Sequence, residues 1–386
     1  MLPESFITEV KQSVDILDLV SKYTTLKKVG INTYAGKCPN PEHKDNNPSF
    51  TVFTDTQTWC CYGCHCGDKY IDKEFNNTNY GSDCFAFLQW ISKGKKTWYQ
   101  SIMELANKYH IPIPSDKNDV LYKNNLFLAD SYHENLKNKK NAYNYLITRG
   151  LTDEIINDWN IGWNGKITFP LYDRFNRILG FTKRWLVTPE WCRDKYRNSK
   201  NNEIFNKSYY FYGIHKLQNE YPYIYITEGA IDVILANKYK LPNTVALLGT
   251  SFTDNHIEVL QLLKKKPVFI MDGDEAGLKA LNKIIEKLAQ KNIYSELVIL
   301  PNNMDLADLA NREKDNLVKF INENKMTYGY YKVYKIINHY YSEINKIKLE
   351  IYPELKNIYD FIPGDEKFII KNFIEKDLKL DMEAKE

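Results

Sequence analysis

Residues 267–280 read Pro-Val-Phe-Ile-Met-Asp-Gly-Asp-Glu-Ala-Gly-Leu-Lys-Ala. Val268 to Met271 form a short continuous apolar run closed by breakers, the pattern of a strand buried on both faces, as in a parallel sheet. Asp272 and Asp274 then stand at the carboxyl end of that strand, before a helical pattern. In open α/β sheets, ligands bind outside those ends. An isolated Asp-Gly is commonly no more than a helix cap, so the reading depends on the neighbouring segments.

Two further strand ends finish in acids. Residues 223–227 alternate aromatic and branched side chains, and Glu228, Gly229 and a helix carrying Asp232 follow. Residues 297–300 lead into Asn302, Asn303, Asp305 and Asp308, while residues 245–248 end in Gly249, Thr250 and Ser251. The order β-α-β-α-β-α-β predicts a parallel sheet with right-handed crossovers and its carboxylates on one rim. Unit charges about 4 Å apart repel by roughly 4 kcal/mol at an effective dielectric of about 20, so the cluster calls for a cation. All-oxygen ligation suits Mg²⁺ or Mn²⁺, the ions of phosphoryl transfer.

Glu228-Gly229, Leu248-Gly249-Thr250 and Asp272-Gly273-Asp274-Glu275-Ala276-Gly277 resemble, in order, the TOPRIM domain shared by DnaG-type primases, topoisomerases and some nucleases. Alone, that resemblance implies a metal-dependent nucleic-acid domain rather than a particular reaction.

At 386 residues the chain has room for two or three domains. The net charge of +3 is small, but residues 121–220 hold 16 Lys and Arg against 10 Asp and Glu, an excess of 6 immediately before the acidic sheet. Such an excess suits a phosphate-binding surface. No apolar run approaches about 18 residues and no basic leader with an apolar core opens the chain, so an intracellular, soluble protein without membrane contact is expected.

Residues 4–20 carry apolar side chains at helical spacing, predicting one amphipathic helix that packs. Five of the seven cysteines fall within residues 38–66. In a reducing compartment that density indicates a metal. Four residues separate Cys38 from His43, two separate Cys61 from Cys64, and a hairpin (49–53 and 58–62) lies between the pairs. The spacing is that of a zinc ribbon with one structural Zn²⁺ in a Cys₃His site; Cys60 and Cys66 are competing thiols. Phe50, Phe53, Trp59 and Tyr62 alternate along the hairpin, either as its core or as stacking surfaces for unpaired bases.

Leu26-Lys27-Lys28-Val29-Gly30, Cys38-Pro39, Asn47-Pro48-Ser49-Phe50 and Cys61-Tyr62-Gly63-Cys64 are similar to the zinc-binding domain of bacterial and phage primases, which implies Cys38, His43, Cys61 and Cys64 as ligands. Two features depart from the family: the wider first pair, and an insertion from about Gly67 to Tyr80. Lys195-Tyr196-Arg197-Asn198-Ser199, then Lys207 and Tyr212-Gly213, resemble the basic part of a primase polymerase domain. There the resemblance implies nucleotide or nucleic-acid binding by Arg184, Lys195, Asn198 and Lys207.

The fold expected is therefore α/β and multidomain. It comprises a zinc ribbon of small antiparallel β structure (1–110), a linker (111–120), a basic α+β subdomain (121–220), a TOPRIM parallel α/β sheet (221–312) and C-terminal helices (313–386). In the basic part, helix is expected from about 121 to 147, with strands at 167–171, 178–182 and 184–187. The resemblance implies a DNA primase making short RNA primers from ribonucleoside triphosphates on single-stranded DNA in the bacterial cytoplasm, whether the gene is bacterial, phage or plasmid-borne. Glu228, Asp232, Asp272, Asp274 and Asp305 would be catalytic. Asp308 joins Glu228, Asp272, Asp274 and Asp305 as a ligand for Mg²⁺ or Mn²⁺. A replicative helicase in trans is an admissible partner, although the last 70 or so residues are shorter than the family's helicase-binding module. No Gly-x-x-x-x-Gly-Lys-Ser/Thr occurs, which disfavours an attached motor. Two alternatives stay open: a non-catalytic recombination-mediator-like clamp, which also joins a zinc site to a TOPRIM fold, and a TOPRIM nuclease or topoisomerase.

Overall fold

A computed structural model describes residues 2–67, 83–114, 116–190, 192, 194–249, 251–301, 303–340 and 348–362, with isolated positions to 374. The insertion expected at 67–80 lies almost wholly outside the described residues, as do Thr250 and Asn302. The chain divides into two compact units, residues 1–120 and 121–386.

In the first unit, α1 (Glu4–Ser13) and α2 (Ile16–Ser21) replace the single helix expected over 4–20. The break has a local cause: Val14 is extended, and the Asp15 carboxylate accepts from Leu17 N at 2.8 Å, starting a new helix. A four-stranded antiparallel sheet follows, β1 (Leu26–Lys28), β2 (Thr33–Gly36), β3 (Phe50–Phe53) and β4 (Thr58–Cys61), in that order. Helices α3 (Cys84–Ile91) and α4 (Trp98–Lys108) complete the unit. Phe50 and Trp59 are buried and stacked, and Trp90 stacks on both, so the aromatic alternation of the hairpin is mainly a core. Phe53 is only half-buried, and Tyr62 is 62% exposed.

The second unit begins in helix. α5 (Asp116–Lys137) starts inside the stretch expected to be a linker, and α6 (Lys140–Thr148) follows after a break at 138–139 where one continuous helix was expected. After α7 (Asp153–Asp158) comes an antiparallel sheet of β5 (Gly162–Trp163), β6 (Ile167–Tyr172), β7 (Ile178–Arg184) and β8 (Tyr196–Asn198). Residues 178–182 and 184–187, expected as separate strands, instead give one strand ending at Arg184. Trp185 N still bonds Lys195 O, but the chain then leaves the ladder.

The remainder is the predicted doubly covered sheet. Its strands are β9 (Tyr223–Thr227), β10 (Thr244–Ala246), β11 (Lys266–Met271) and β12 (Glu296–Ile299), interleaved with α8 (Ala230–Lys238), α9 (Asp254–Leu263), α10 (Glu275–Ala289) and α11 (Leu306–Glu313). The four strands are parallel in the order β10-β9-β11-β12. Side-chain alternation divides them between two cores. Tyr225, Val268, Ile270 and Val298 face α8 and α11, whereas Ile224, Ile226, Phe269 and Leu297 face α9 and α10. Ile167, Phe169 and Leu171 of the antiparallel sheet join the first core, so the basic subdomain and the parallel sheet share one apolar interior.

The C-terminal segment, expected to be helical throughout, contains α12 (Leu317–Glu323), then β13 (Met326–Thr327), and then α13 (Tyr328–Tyr340) and α14 (Lys348–Phe361). β13 pairs antiparallel with β12 through Glu296–Thr327 and Leu297–Met326, so the sheet extends past residue 312.

The glycines of the acidic motif are required by space. A Cβ on Gly273 would overlap the Pro301 carbonyl, and one on Gly277 the Asp272 carbonyl. Overpacking of that kind typically costs about 1–3 kcal/mol. Gly277→Ala is therefore expected to lower the unfolding free energy by that amount, seen as a lower urea midpoint at unchanged slope, which equilibrium unfolding monitored by circular dichroism will check.

Candidate active site and metal centre

The acids arrive on one rim because their strands are parallel and adjacent. Glu228 ends β9, Asp272 and Asp274 end β11, and Asp305 and Asp308 open α11 after β12. A cavity of about 330 Å³ is lined by Glu228, Asp232, Asp272 and Asp305 together with Arg149, Arg184 and Lys195.

Backbone N–H groups hold four of the carboxylates, those of Glu228, Asp232, Asp274 and Asp305. Asp274 caps α10, accepting from Gly277 N at 2.7 Å, and Asp305 caps α11, accepting from Asp308 N at 2.7 Å. The capping and functional readings of these residues are thus compatible, because capping uses one oxygen of each carboxylate; the second oxygen of Asp305 accepts from Arg149 Nη2. Glu228 accepts from Asp272 N at 3.3 Å, tying two strand ends together. Asp232 is buried at 5% exposure, and its two oxygens accept from Gly229 N (2.9 Å) and Ala307 N (3.1 Å). It braces α8 against α11 and has less oxygen capacity to offer a ligand than its neighbours.

The electrostatics match the crowding. Burial first, then the charges of Glu228, Asp305, Asp274 and Asp308, push the Asp272 carboxyl up to about 7. Burial raises Glu228 as well, against the Asp272 N–H, with Asp274 adding to the rise. Burial followed by Asp305 and Asp272 holds Asp232 well above the ordinary carboxylate range. Asp272 Oδ1 is buried with no hydrogen-bond partner. An orphaned oxygen among converging hard donors fits a divalent cation of the Mg²⁺ or Mn²⁺ type.

The basic residues form the facing wall. Arg184 lies 4.4 Å over the Tyr145 ring and donates from Nη1 to Trp185 O at 2.9 Å. Lys195 lines the cavity from the turn before β8. Asn198 donates from Nδ2 to Leu248 O at 3.3 Å, joining the two sheets, and its Oδ1 is buried without a partner. Lys207 sits in a 3-10 turn at Lys207–Tyr209, with its ammonium beside Gly249. Burial holds its pKa below the usual lysine range, with Asp194 opposing.

Sequence reading places Arg149 only at a helix boundary and omits Tyr145. Arg149 donates from Nη2 to Asp305 (2.9 Å) and from Nη1 to Asp308 (3.3 Å), across 156 and 159 residues of sequence. Nothing in local pattern signals such a contact.

In the first unit, one donor atom each from Cys38, His43, Cys61 and Cys64 lies within 4.8 Å of the others. Cys38 Sγ is 3.8 Å from Cys64 Sγ, and Cys61 Sγ is 3.6 Å from His43 Nδ1. Asp45 shapes the first pair, accepting from Cys38 N (2.7 Å) and Ser49 N (3.2 Å). Three thiols and an imidazole so grouped fit tetrahedral zinc. Cys60 alternates with Cys61 along β4 and so faces the other side. Cys66 Sγ contacts Cys64 Sγ at 3.2 Å, outside the four-member group.

Three families match consecutive parts of the chain: a CHC2 zinc finger over residues 2–120, a DNA primase catalytic core N-terminal domain over 163–218, and a Toprim-like domain over 225–310. The chain has the domain organisation of DnaG-type DNA primases. The DNA primase of Staphylococcus epidermidis is 28% identical across 89% of this chain and 63% of its own length. The chain spans about three fifths of the length of the curated relatives it matches. Among solved structures, the zinc-binding and RNA polymerase domains of the Aquifex aeolicus primase match at TM-score 0.55 and 22% identity over 98% of both chains. A DnaG primase catalytic domain bound to single-stranded DNA matches at TM-score 0.54 and 22% identity, over 68% of this chain and 97% of that one. Both likenesses concern the primase fold. Among the described residues, no helix is long and apolar enough to cross a membrane.

The primase-like ribbon gives a direct test. Structural zinc in such peptides carries about 10–16 kcal/mol of apparent binding energy that doubles as folding energy. Cys61→Ser and Cys64→Ser are expected to lose the metal and unfold the ribbon, while Cys60→Ser and Cys66→Ser retain one equivalent, as read by atomic absorption and near-UV circular dichroism.

Proposed function

We propose that this chain is a DNA primase that synthesises short RNA primers on single-stranded DNA by metal-dependent nucleotidyl transfer. The observation that carries the reading is the meeting of the acidic rim and the basic wall in one cavity. Carboxylates alone hold a cation, but carboxylates facing Arg184 and Lys195 also suit a triphosphate. The resemblance to primases across both units supports the same reading, as does the single-stranded DNA bound by a relative of similar fold.

Glu228, Asp272, Asp274, Asp305 and Asp308 would hold Mg²⁺ or Mn²⁺. When bound, such ions neutralise phosphate charge and acidify the attacking primer 3′-hydroxyl. The chain's own residues do the rest. Lys195 and Lys207 neutralise the triphosphate, and Arg184, held over Tyr145, presents a fixed guanidinium. Asn198 keeps the Leu248-Gly249 turn against β8, while Asp232 keeps the openings of α8 and α11 in register. In the ribbon, zinc is structural, and exposed Tyr62 offers a face for template bases.

The defining experiment incubates the zinc-loaded protein with mixed single-stranded templates, labelled ribonucleotides and Mg²⁺. Short labelled oligoribonucleotides are expected from the wild type. Asp272→Asn and Asp274→Asn should reduce their yield about 100-fold or more, since each tenfold corresponds to about 1.4 kcal/mol and a metal contributes several. Wild-type synthesis by both variants would rule out this catalytic assignment.

Lys195→Ala and Lys207→Ala should each weaken primer-template or nucleotide binding. Each should also reduce the slope of log K against log salt by about 0.7, the value per single-strand phosphate contact. Fluorescence anisotropy across a salt series measures both.

A further inference from the structure

Arg149 divides the acidic cluster into two electrostatically different halves. On one side stand Glu228, Asp272 and Asp274, where Asp272 Oδ1 is buried without a partner. On the other, Asp305 and Asp308 are already bridged by the Arg149 fork at 2.9 and 3.3 Å. The arm that carries this fork is fixed. Arg149 N donates to Tyr145 O at 3.0 Å, and Arg149 O accepts from Asn311 Nδ2 at 3.0 Å. Lys238 Nζ donates to Gly150 O at 2.8 Å. Gly150 adopts φ +94° directly against Asn311, so a side chain at position 150 would be excluded. The guanidinium is thus anchored from α8 and α11 at its base and committed to α11 carboxylates at its tip, while Nε is buried without a partner.

We propose that Arg149 is an internal counter-ion for Asp305 and Asp308, and that a divalent cation must displace it to use those carboxylates, making the two halves unequal in cation affinity. The inference rests on the metal-binding reading of the acidic rim given above. It follows from charge: Asp305 Oδ2 and Asp308 Oδ1 already face the guanidinium, whose positive charge opposes a cation on these carboxylates until it moves away. Displacement also has a consequence within the cavity: a released guanidinium lines the same space as Arg184 and Lys195. Arg149 would then be a positioning residue that trades carboxylate partners for phosphate when the second half fills.

The test counts Mn²⁺ on the full zinc-loaded chain by electron paramagnetic resonance of the free ion, without template or nucleotide. The wild type is expected to show one tighter and one weaker class of site. In Arg149→Gln the weaker class should tighten about tenfold, within the usual range of site-to-site coupling, while the tighter class changes less. Arg149→Lys should fall between, because an ammonium keeps the charge and loses the two-pronged geometry. Arg184→Gln removes a cation from the same cavity that stacks on Tyr145 rather than bridging Asp305 and Asp308, and it should leave the weaker class where it was. Equal classes in the wild type would overturn the inference, as would an unchanged weaker class in Arg149→Gln or equal tightening in Arg184→Gln. If Arg149→Gln fails to fold, the absence of tightening in Arg149→Lys overturns it instead. The count involves no primer synthesis, so an inactive wild type would sink the functional reading while leaving this result to stand on its own.

Discussion

Mutual repulsion of carboxylates held at the carboxyl ends of β9, β11 and β12 is the constraint on which the architecture of this rim depends. Three adjacent parallel strands deliver their acids to one rim, and helix N-termini then fix them there. Each placement is locally favourable: Asp274 and Asp305 satisfy orphan helix N–H groups, and Glu228 satisfies the N–H of Asp272. The sum is unfavourable without a positive partner, which is why burial and neighbouring charge lift Asp272, Glu228 and Asp232 together. The fold resolves part of this with Arg149, which bridges Asp305 and Asp308.

Precision at the rim comes from backbone rather than side chains. Gly273 N donates to Met304 O and Asn303 N donates to Gly273 O, so the turn after β11 is laced to the loop after β12. That lacing requires the absence of a Cβ at Gly273, just as the entry into α10 requires it at Gly277. The glycines and aspartates of residues 272–277 are therefore one device, in which small residues permit close approach and acids cap what the approach creates. The shared core beneath holds the basic sheet against this rim, which keeps Arg184 and Lys195 facing the acids.

Much of this was legible in the chain because the signals are local. Continuous apolar runs gave the four parallel strands to within two residues, since a strand buried on both faces has no polar alternation to blur it. Cysteine and histidine spacing indicated a ribbon, and the resemblance to primase zinc-binding domains singled out the four donors that cluster there, with Cys60 and Cys66 left as competitors. What pattern could not find depended on distance in sequence or on competing local chemistry. Periodicity alone cannot see that Asp15 caps a second helix, which splits the opening segment. Trp185 to Val187 have strand-like composition, but only the ladder to β8 shows that the pairing ends. Met326–Thr327 is too short for any periodic signal and exists as a strand because β12 offers it an edge. Arg149 meets Asp305 because the turn after α6 is held to α11 through Asn311, and no spacing rule predicts it.

The most direct measurement is the titration of Asp272 itself, by carbon NMR on protein labelled at aspartate carboxyl carbons and assigned with Asp272→Asn. In the divalent-free protein Asp272 is expected to titrate near 7, well above its unfolded value. A folded pKa raised in this way stabilises the divalent-free protein below the unfolded pKa of about 4, and that contribution disappears as pH rises towards 7. Saturating Mg²⁺ should reverse the relation, drawing the midpoint below 4 as the carboxylate becomes a ligand. An Asp272 that titrates near 4 without Mg²⁺ and does not respond to it would contradict the account, because the rim would then be neither crowded nor built around a cation.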